Sequence, residues 1–279
     1  MVSDLRIGRT AMPSGICVSS AAALLAIALT GAFSASALAE DCEADPNQAL
    51  SVAGGCLAIE SHVSRPGGPL VVFIHGDSGI SRRYTGQLDR IRDSVINLVV
   101  LARPGFRTRD GRMSTGPDSD TYDNYTPAVI DSLGSALRQL RKFHNASRPV
   151  LLGHSGGAMI SGILMGRAPG VAEAAVLVAW ACNTPKWRAW RELSAGKSGN
   201  WPNSLSAHDY LDQYPASSRI YALTGDVDDN TKPSFARACV EALRARNIKA
   251  TLEIVERSGH NRVMRSEKVL EAIRAAVKP

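Results

Sequence analysis

Beyond residue 33 the sequence has no apolar run approaching the ~18 residues that a membrane-spanning helix needs. It has no Cys-x-x-Cys pair and no Cys/His pair at ligand spacing, which argues against a structural zinc site. Lys and Arg outnumber Asp and Glu by 32 to 26, yet they are spread along the chain and form no basic cluster. That pattern describes a solvated surface and leaves no footprint for nucleic acid. Internal repeats are missing as well, which sets solenoids and propellers aside.

The start of the chain is different in kind. Arg6 and Arg9 lie in a charged leader, residues 16–33 are almost wholly apolar or small, and Ala37-Leu38-Ala39 is followed by Glu40 and Asp41. This order is the layout of a secretory signal peptide over residues 1–39, with cleavage expected after Ala39. The two arginines are not adjacent, so a twin-arginine route is not indicated. The expected mature chain, residues 40–279, is long enough for one large domain, secreted or periplasmic and without stable membrane insertion. Removing Arg6, Arg9 and Asp4 lowers the net charge from +6 by one. Cys17 leaves with the signal, and Cys42, Cys56, Cys182 and Cys239 remain. An even number in an exported chain points to disulfides. Cys42 and Cys56 flank a short loop with Pro46 and Gly54-Gly55, so they are expected to pair, and by remainder Cys182 with Cys239.

Periodicity then organises residues 57–279. Leu70–Ile74, Val95–Leu101, Val150–Gly153, Ala174–Ala181, Arg219–Thr224 and Ala250–Val255 are apolar or β-branched runs that read as buried strands, with Leu57–His62 a weaker candidate. Helical patterns fall between them, at 84–92, 124–140, 156–167, 235–246 and 267–277. Asn124 is the expected cap of the second, with Pro127 in its first turn and Val129, Leu133, Leu137 and Leu140 as its apolar stripe. Alternating strands and helices call for an α/β fold with a mostly parallel, doubly wound sheet. Residues 103–123 form a long polar loop, and residues 182–218 show no sheet pattern.

One motif carries chemistry. Gly153-His154-Ser155-Gly156-Gly157 fits Gly-x-Ser-x-Gly and stands between the strand Val150-Leu151-Leu152 and the helix opening at Ala158-Met159-Ile160. A strand-turn-helix of this kind lifts a serine hydroxyl to the carboxyl end of a sheet and sets it at a helix N-terminus. A serine nucleophile needs a base. His260, in the loop Ser258-Gly259-His260-Asn261 after the last strand, is the candidate. The base needs an acid, and Asp226, Asp228 and Asp229 follow the strand that ends at Gly225, with Asp228 preferred, Asp229 second and Asp226 third. Two backbone N–H groups should hold a developing oxyanion: Gly156 after the serine, and Asp77 in His75-Gly76-Asp77-Ser78-Gly79, with Ser78 as fallback. The His75 side chain reads as structural.

Taken together, the strand plus His75-Gly76, the elbow, Gly225-x-x-Asp228 and Ser258-Gly259-His260 resemble the α/β-hydrolase superfamily over residues 57–279. The resemblance implies a Ser155–Asp228–His260 triad, with the acid three residues after a strand-ending glycine. It further implies acyl-enzyme hydrolysis of a carboxylic ester, or of a short peptide as in prolyl-oligopeptidase-like enzymes, with no metal and no organic cofactor. The fold also hosts proteins that only bind. Two departures stand out: fewer visible strands than the usual eight, and Ala158 where such peptidases tend to have glycine. The superfamily usually inserts its cap where residues 182–218 lie. All four tryptophans fall at 180–201, so Trp187 and Trp190 are candidate substrate-binding residues over Ser155. Arg103, Arg107, Arg109 and Arg112 could attract an anionic substrate, or be solvated loop charges.

Overall fold

Alternating apolar runs require a sheet covered on both faces, and the computed structural model has one. It describes residues 45–279 apart from 81, 83, 94–96, 117–122, 148, 197–198 and 200. The expected signal peptide and Cys42 lie outside the described residues, all of which belong to the compact unit Ala37–Pro279. The strands are β1 (Ala49–Val52), β2 (Gly55–His62), β3 (Leu70–Ile74), β4 (Asn97–Leu101), β5 (Pro149–His154), β6 (Ala174–Val178), β7 (Arg219–Gly225) and β8 (Lys249–Val255). They form one eight-stranded sheet in the order β1-β2-β4-β3-β5-β6-β7-β8. The pairs β1/β2 and β2/β4 are antiparallel, and all others are parallel. Strand order reverses between β3 and β5, so the crevice beyond their carboxyl ends is where a ligand is expected in such a sheet.

The helices are α1 (Thr85–Asp93), α2 (Pro127–Phe143), α3 (Gly156–Arg167), α4 (Thr184–Ala195), α5 (Pro233–Arg244) and α6 (Glu267–Ala276). Every residue of β3, β4, β5 and β6 is buried, because both faces are packed. Alternate residues of β3 divide between two cores. Leu70, Val72 and Ile74 meet α2 and α3, while Val71 and Phe73 meet α1 and α6. Helix α3 is buried from Gly156 to Gly166, apolar all round as a central helix must be. Among the described residues, no helix is long and apolar enough to cross a membrane.

Three expectations are corrected. The sheet has one strand more than the periodicity suggests. β1 is only four residues long and alternates in burial, too short for a pattern to register. Helix α2 is capped by Thr126, not Asn124. Thr126 Oγ1 accepts from the Val129 amide at 3.4 Å and Pro127 takes the first helical position. β6 stops at Val178, before Ala181, since Ala179 turns to positive φ (56°). The expected Cys182–Cys239 disulfide is present and ties the chain leaving β6 to α5. Cys56 is also disulfide-bonded, though Cys42 is not among the described residues.

Candidate functional site

The tight turn between β5 and α3 is built from steric necessity. β5 delivers its chain to the sheet centre and α3 begins at once, so Ser155 is forced to φ 55° and ψ −120°. An L-residue held there stores about 1–3 kcal/mol. The glycines around it are required by close approach. A Cβ at Gly153 would overlap the Gly157 carbonyl, and one at Gly157 would overlap the Ile74 carbonyl of β3. The Ser155 amide is held by the Val178 carbonyl at 2.9 Å, which fixes the turn against β6.

Three side chains from three strand ends meet at this point. His260 Nε2 lies 2.9 Å from Ser155 Oγ, and its Nδ1 lies 3.0 Å from Asp228 Oδ2 and 3.2 Å from Oδ1. Asp228 is buried, 3% exposed. Its Oδ1 accepts from the amides of Asn230 (2.9 Å) and Thr231 (2.8 Å), and Oδ2 accepts from the Thr231 hydroxyl (2.8 Å). Burial pushes this carboxyl up, but the His260 contact and the Thr231 donors outweigh it and hold the group below the usual carboxylate range. With Asp228 ionised, His260 Nδ1 carries the proton and Nε2 faces Ser155 with its lone pair. Asp226 is exposed and instead accepts from the Ser258 amide at 3.1 Å, joining the loops after β7 and β8. Asp229 is exposed as well.

Neither the Gly156 nor the Asp77 amide N–H has a protein acceptor among the described residues. The Asp77 carboxylate packs so closely on Gly156 that any side chain there would overlap it. That carboxylate is committed. Arg103 Nη1 donates to it at 2.8 Å and the Tyr125 hydroxyl at 3.1 Å. Arg103 is 1% exposed and lies over the rings of Phe106 and Tyr125. The loop arginines are therefore not arrayed for a substrate. Arg109 pairs with Glu60, Arg112 with Asp110, and Arg107 donates to the Gly111 carbonyl.

Two buried histidines brace the same loops. His154 Nδ1 meets the Tyr84 hydroxyl at 2.8 Å and Nε2 meets the His260 carbonyl at 2.9 Å. A carbonyl only accepts, so His154 is the Nε2–H tautomer and takes the Tyr84 proton on Nδ1. His75 Nε2 likewise accepts from the Arg103 amide at 3.0 Å, while Nδ1 donates to the Gly76 carbonyl at 2.7 Å. Burial, followed by the charge of Arg103, lowers His75 to about 3. Burial, followed by the charge of His260, lowers His154 to about 4. Each binds a proton more readily in the unfolded chain, so each contributes stability that is present above pH ~6.5 and is lost as pH falls toward the folded value. Between pH 7 and pH 5 the two together should cost on the order of 3 to 4 kcal/mol. Urea midpoints measured at both pH values check this; a flat profile would mean that these histidines are not held neutral.

A cavity of about 500 Å³ opens over Ser155 and His260. Gly76, Asp77 and Asn230 line it from below, and Trp187, Arg188, Arg191 and Trp201 from the segment between β6 and β7. Trp187 donates its Nε1–H to the Asn230 carbonyl at 2.8 Å, linking α4 to the Asp228 loop. Trp190 does not line the cavity; it packs on Phe235 of α5 beneath Lys232. Trp180 is wholly buried near Gly162 of α3. Sequence reading missed Arg188, Arg191, Tyr84, Asn230 and Thr231. The signal for Arg191 was helical spacing, because Trp187 and Arg191 are four apart and lie one turn above the other on α4. Among the described residues, Cys182, His208 and Cys239 are the one trio of possible metal ligands, and its two cysteines are joined to each other.

No curated protein matches the sequence significantly. Solved structures do match the fold. An acylaminoacyl peptidase of Pyrococcus horikoshii is 13% identical with a TM-score of 0.61, covering 80% of this chain and 39% of its own. The chain thus spans well under half of that protein's length. An esterase of Pyrococcus furiosus is 13% identical with a TM-score of 0.62, covering 80% of this chain and 85% of its own. Est1E of Butyrivibrio proteoclasticus, solved with ferulic acid bound, is 14% identical with a TM-score of 0.59, covering 79% and 92%. The model of the Alpha/beta hydrolase family matches residues 71–238, from β3 into the first half of α5. With that match over more than half of its length, this chain belongs to the alpha/beta hydrolase family.

Proposed function

We propose that the chain is an exported serine hydrolase that cleaves a carboxylic ester through an acyl-enzyme, using Ser155, His260 and Asp228. The observation that carries this reading is the continuous hydrogen-bonded line from Ser155 Oγ through His260 to Asp228 at a strained elbow. His260 takes the Ser155 proton as Oγ attacks the carbonyl carbon. The N–H groups of Gly156 and Asp77 receive the oxyanion, and the Asp228 carboxylate stabilises the imidazolium. His260 then gives its proton to the leaving alcohol, and water, activated by the same base, releases the acid.

The Cys182–Cys239 disulfide fits an oxidising compartment and so supports export, with mature protein starting at residue 40. Residues 182–218 serve in this reading as a cap over the nucleophile. Esterases and a peptidase both stand among the similar structures, so peptide cleavage is the rival activity. A fluorophosphonate probe should label the folded protein on Ser155, read by peptide mapping. Absence of an adduct there sinks the serine-hydrolase reading. Turnover of aryl esters in preference to aminoacyl amides separates esterase from peptidase.

A further inference from the structure

The cavity wall formed by α4 carries a charge, Arg191, that no described residue pairs. Arg191 lines the cavity, is half-buried, and has neither an ion-pair nor a hydrogen-bond partner among the described residues. Beside it stands Arg188, 8% exposed and held rigidly. Its Nε donates to the Gly199 carbonyl at 2.8 Å, and its guanidinium lies 4.4 Å from the Trp201 ring centre and 5.2 Å from that of Trp187. The two cations are close enough to repel. Burial first, and the charge of Arg191 among lesser causes, lowers Arg188, against the pull of Tyr125, Asp77 and Glu192. Asp77 is the carboxylate lining the same cavity, and it is already engaged by Arg103 and Tyr125. Asp228 lies behind His260 with a side chain 0% exposed. Arg191 therefore presents to the cavity a cation that no described residue pairs, and an anionic group on a bound ligand is its complement.

From this we infer that the hydrolase proposed above is selective for esters carrying a carboxylate, recognised by Arg191 with Arg188 beside it, the rest of the substrate lying against Trp187 and Trp201. Guanidinium–carboxylate geometry favours two parallel N–H···O bonds, and the indole edges supply apolar wall for the connecting carbons.

The test uses p-nitrophenyl hemiglutarate against its methyl-capped diester, which differ by one charge and a methyl cap on the acyl side. A second pair, the butyrate of 4-hydroxybenzoate and that of its methyl ester, carries the charge on the alcohol side. For at least one pair, kcat/KM of the wild-type protein should favour the charged member about tenfold or more, the size of one charged hydrogen-bonded contact. That ratio should shrink in high salt, fall about tenfold in Arg191→Gln, and recover in part in Arg191→Lys. A ratio near one for both pairs in the wild type, or a ratio unmoved by Arg191→Gln, overturns the inference while fluorophosphonate labelling of Ser155 leaves the hydrolase reading standing. No turnover of any ester and no labelled Ser155 overturns both.

Discussion

Ser155→Ala should lower the kcat for aryl-ester hydrolysis by on the order of 10⁶-fold, leaving only the residue of rate that oxyanion donors and binding supply. The expectation rests on Ser155 Oγ being the hydroxyl at 2.9 Å from His260 Nε2, on the lining of the cavity. The same position allows a check that inactivity alone cannot give. At φ 55° and ψ −120° alanine is strained as serine is, whereas glycine is not. Ser155→Gly should therefore be as inactive as Ser155→Ala, yet more stable than it by about 1 kcal/mol after glycine's greater unfolded-state entropy is set against the relief. Urea midpoints of the two variants measure the difference. If Ser155→Ala keeps more than a few per cent of activity, the nucleophile lies elsewhere. If the glycine variant is the less stable of the two, the strain is not stored at this residue.

The elbow was legible because its constraints are local. Strand, tight turn and helix follow one another within a dozen residues, and the glycines are dictated by close approach of the turn to itself and to β3 with its following loop. The long parallel strands were legible for a related reason: burial on both faces leaves an unbroken apolar run. β1 was not, because a short hairpin strand at a sheet edge depends on its partner β2 for definition. Nor was the fate of Arg103. A sequence shows a cation in a polar loop, and only the fold brings Asp77, 26 residues earlier, against it. The tryptophans divide for the same reason. Trp187 and Trp190 are alike in composition, but three residues along a helix point them to different partners, one to the cavity and the other to Phe235. Arg191 follows Trp187 around the helix and was overlooked while the segment was read without its helical period.

Asp228→Asn should lower kcat about 10⁴-fold with little change in fold, by reversing a proton's position and not by removing contacts. The carboxylate has two roles at its two oxygens. Oδ1 receives the amides of Asn230 and Thr231, and asparagine can keep its own carbonyl oxygen there. The NH₂ group then stands in place of Oδ2, facing His260 Nδ1 and the Thr231 hydroxyl. A donor at that point requires Nδ1 to accept, which moves the ring proton to Nε2 and turns it toward Ser155. The ring can no longer receive the serine proton, although every heavy atom remains near its place. Asp226→Asn and Asp229→Asn are the controls, since both side chains are exposed and the first bonds the loop amide of Ser258 away from His260, and both should stay within about threefold of wild type, as surface substitutions outside the proton path do. Rates on one aryl ester, normalised to folded protein concentration, compare all three variants. Near-normal turnover in Asp228→Asn, with collapse in either control, would move the acid to that residue and leave the buried carboxylate as a loop anchor only.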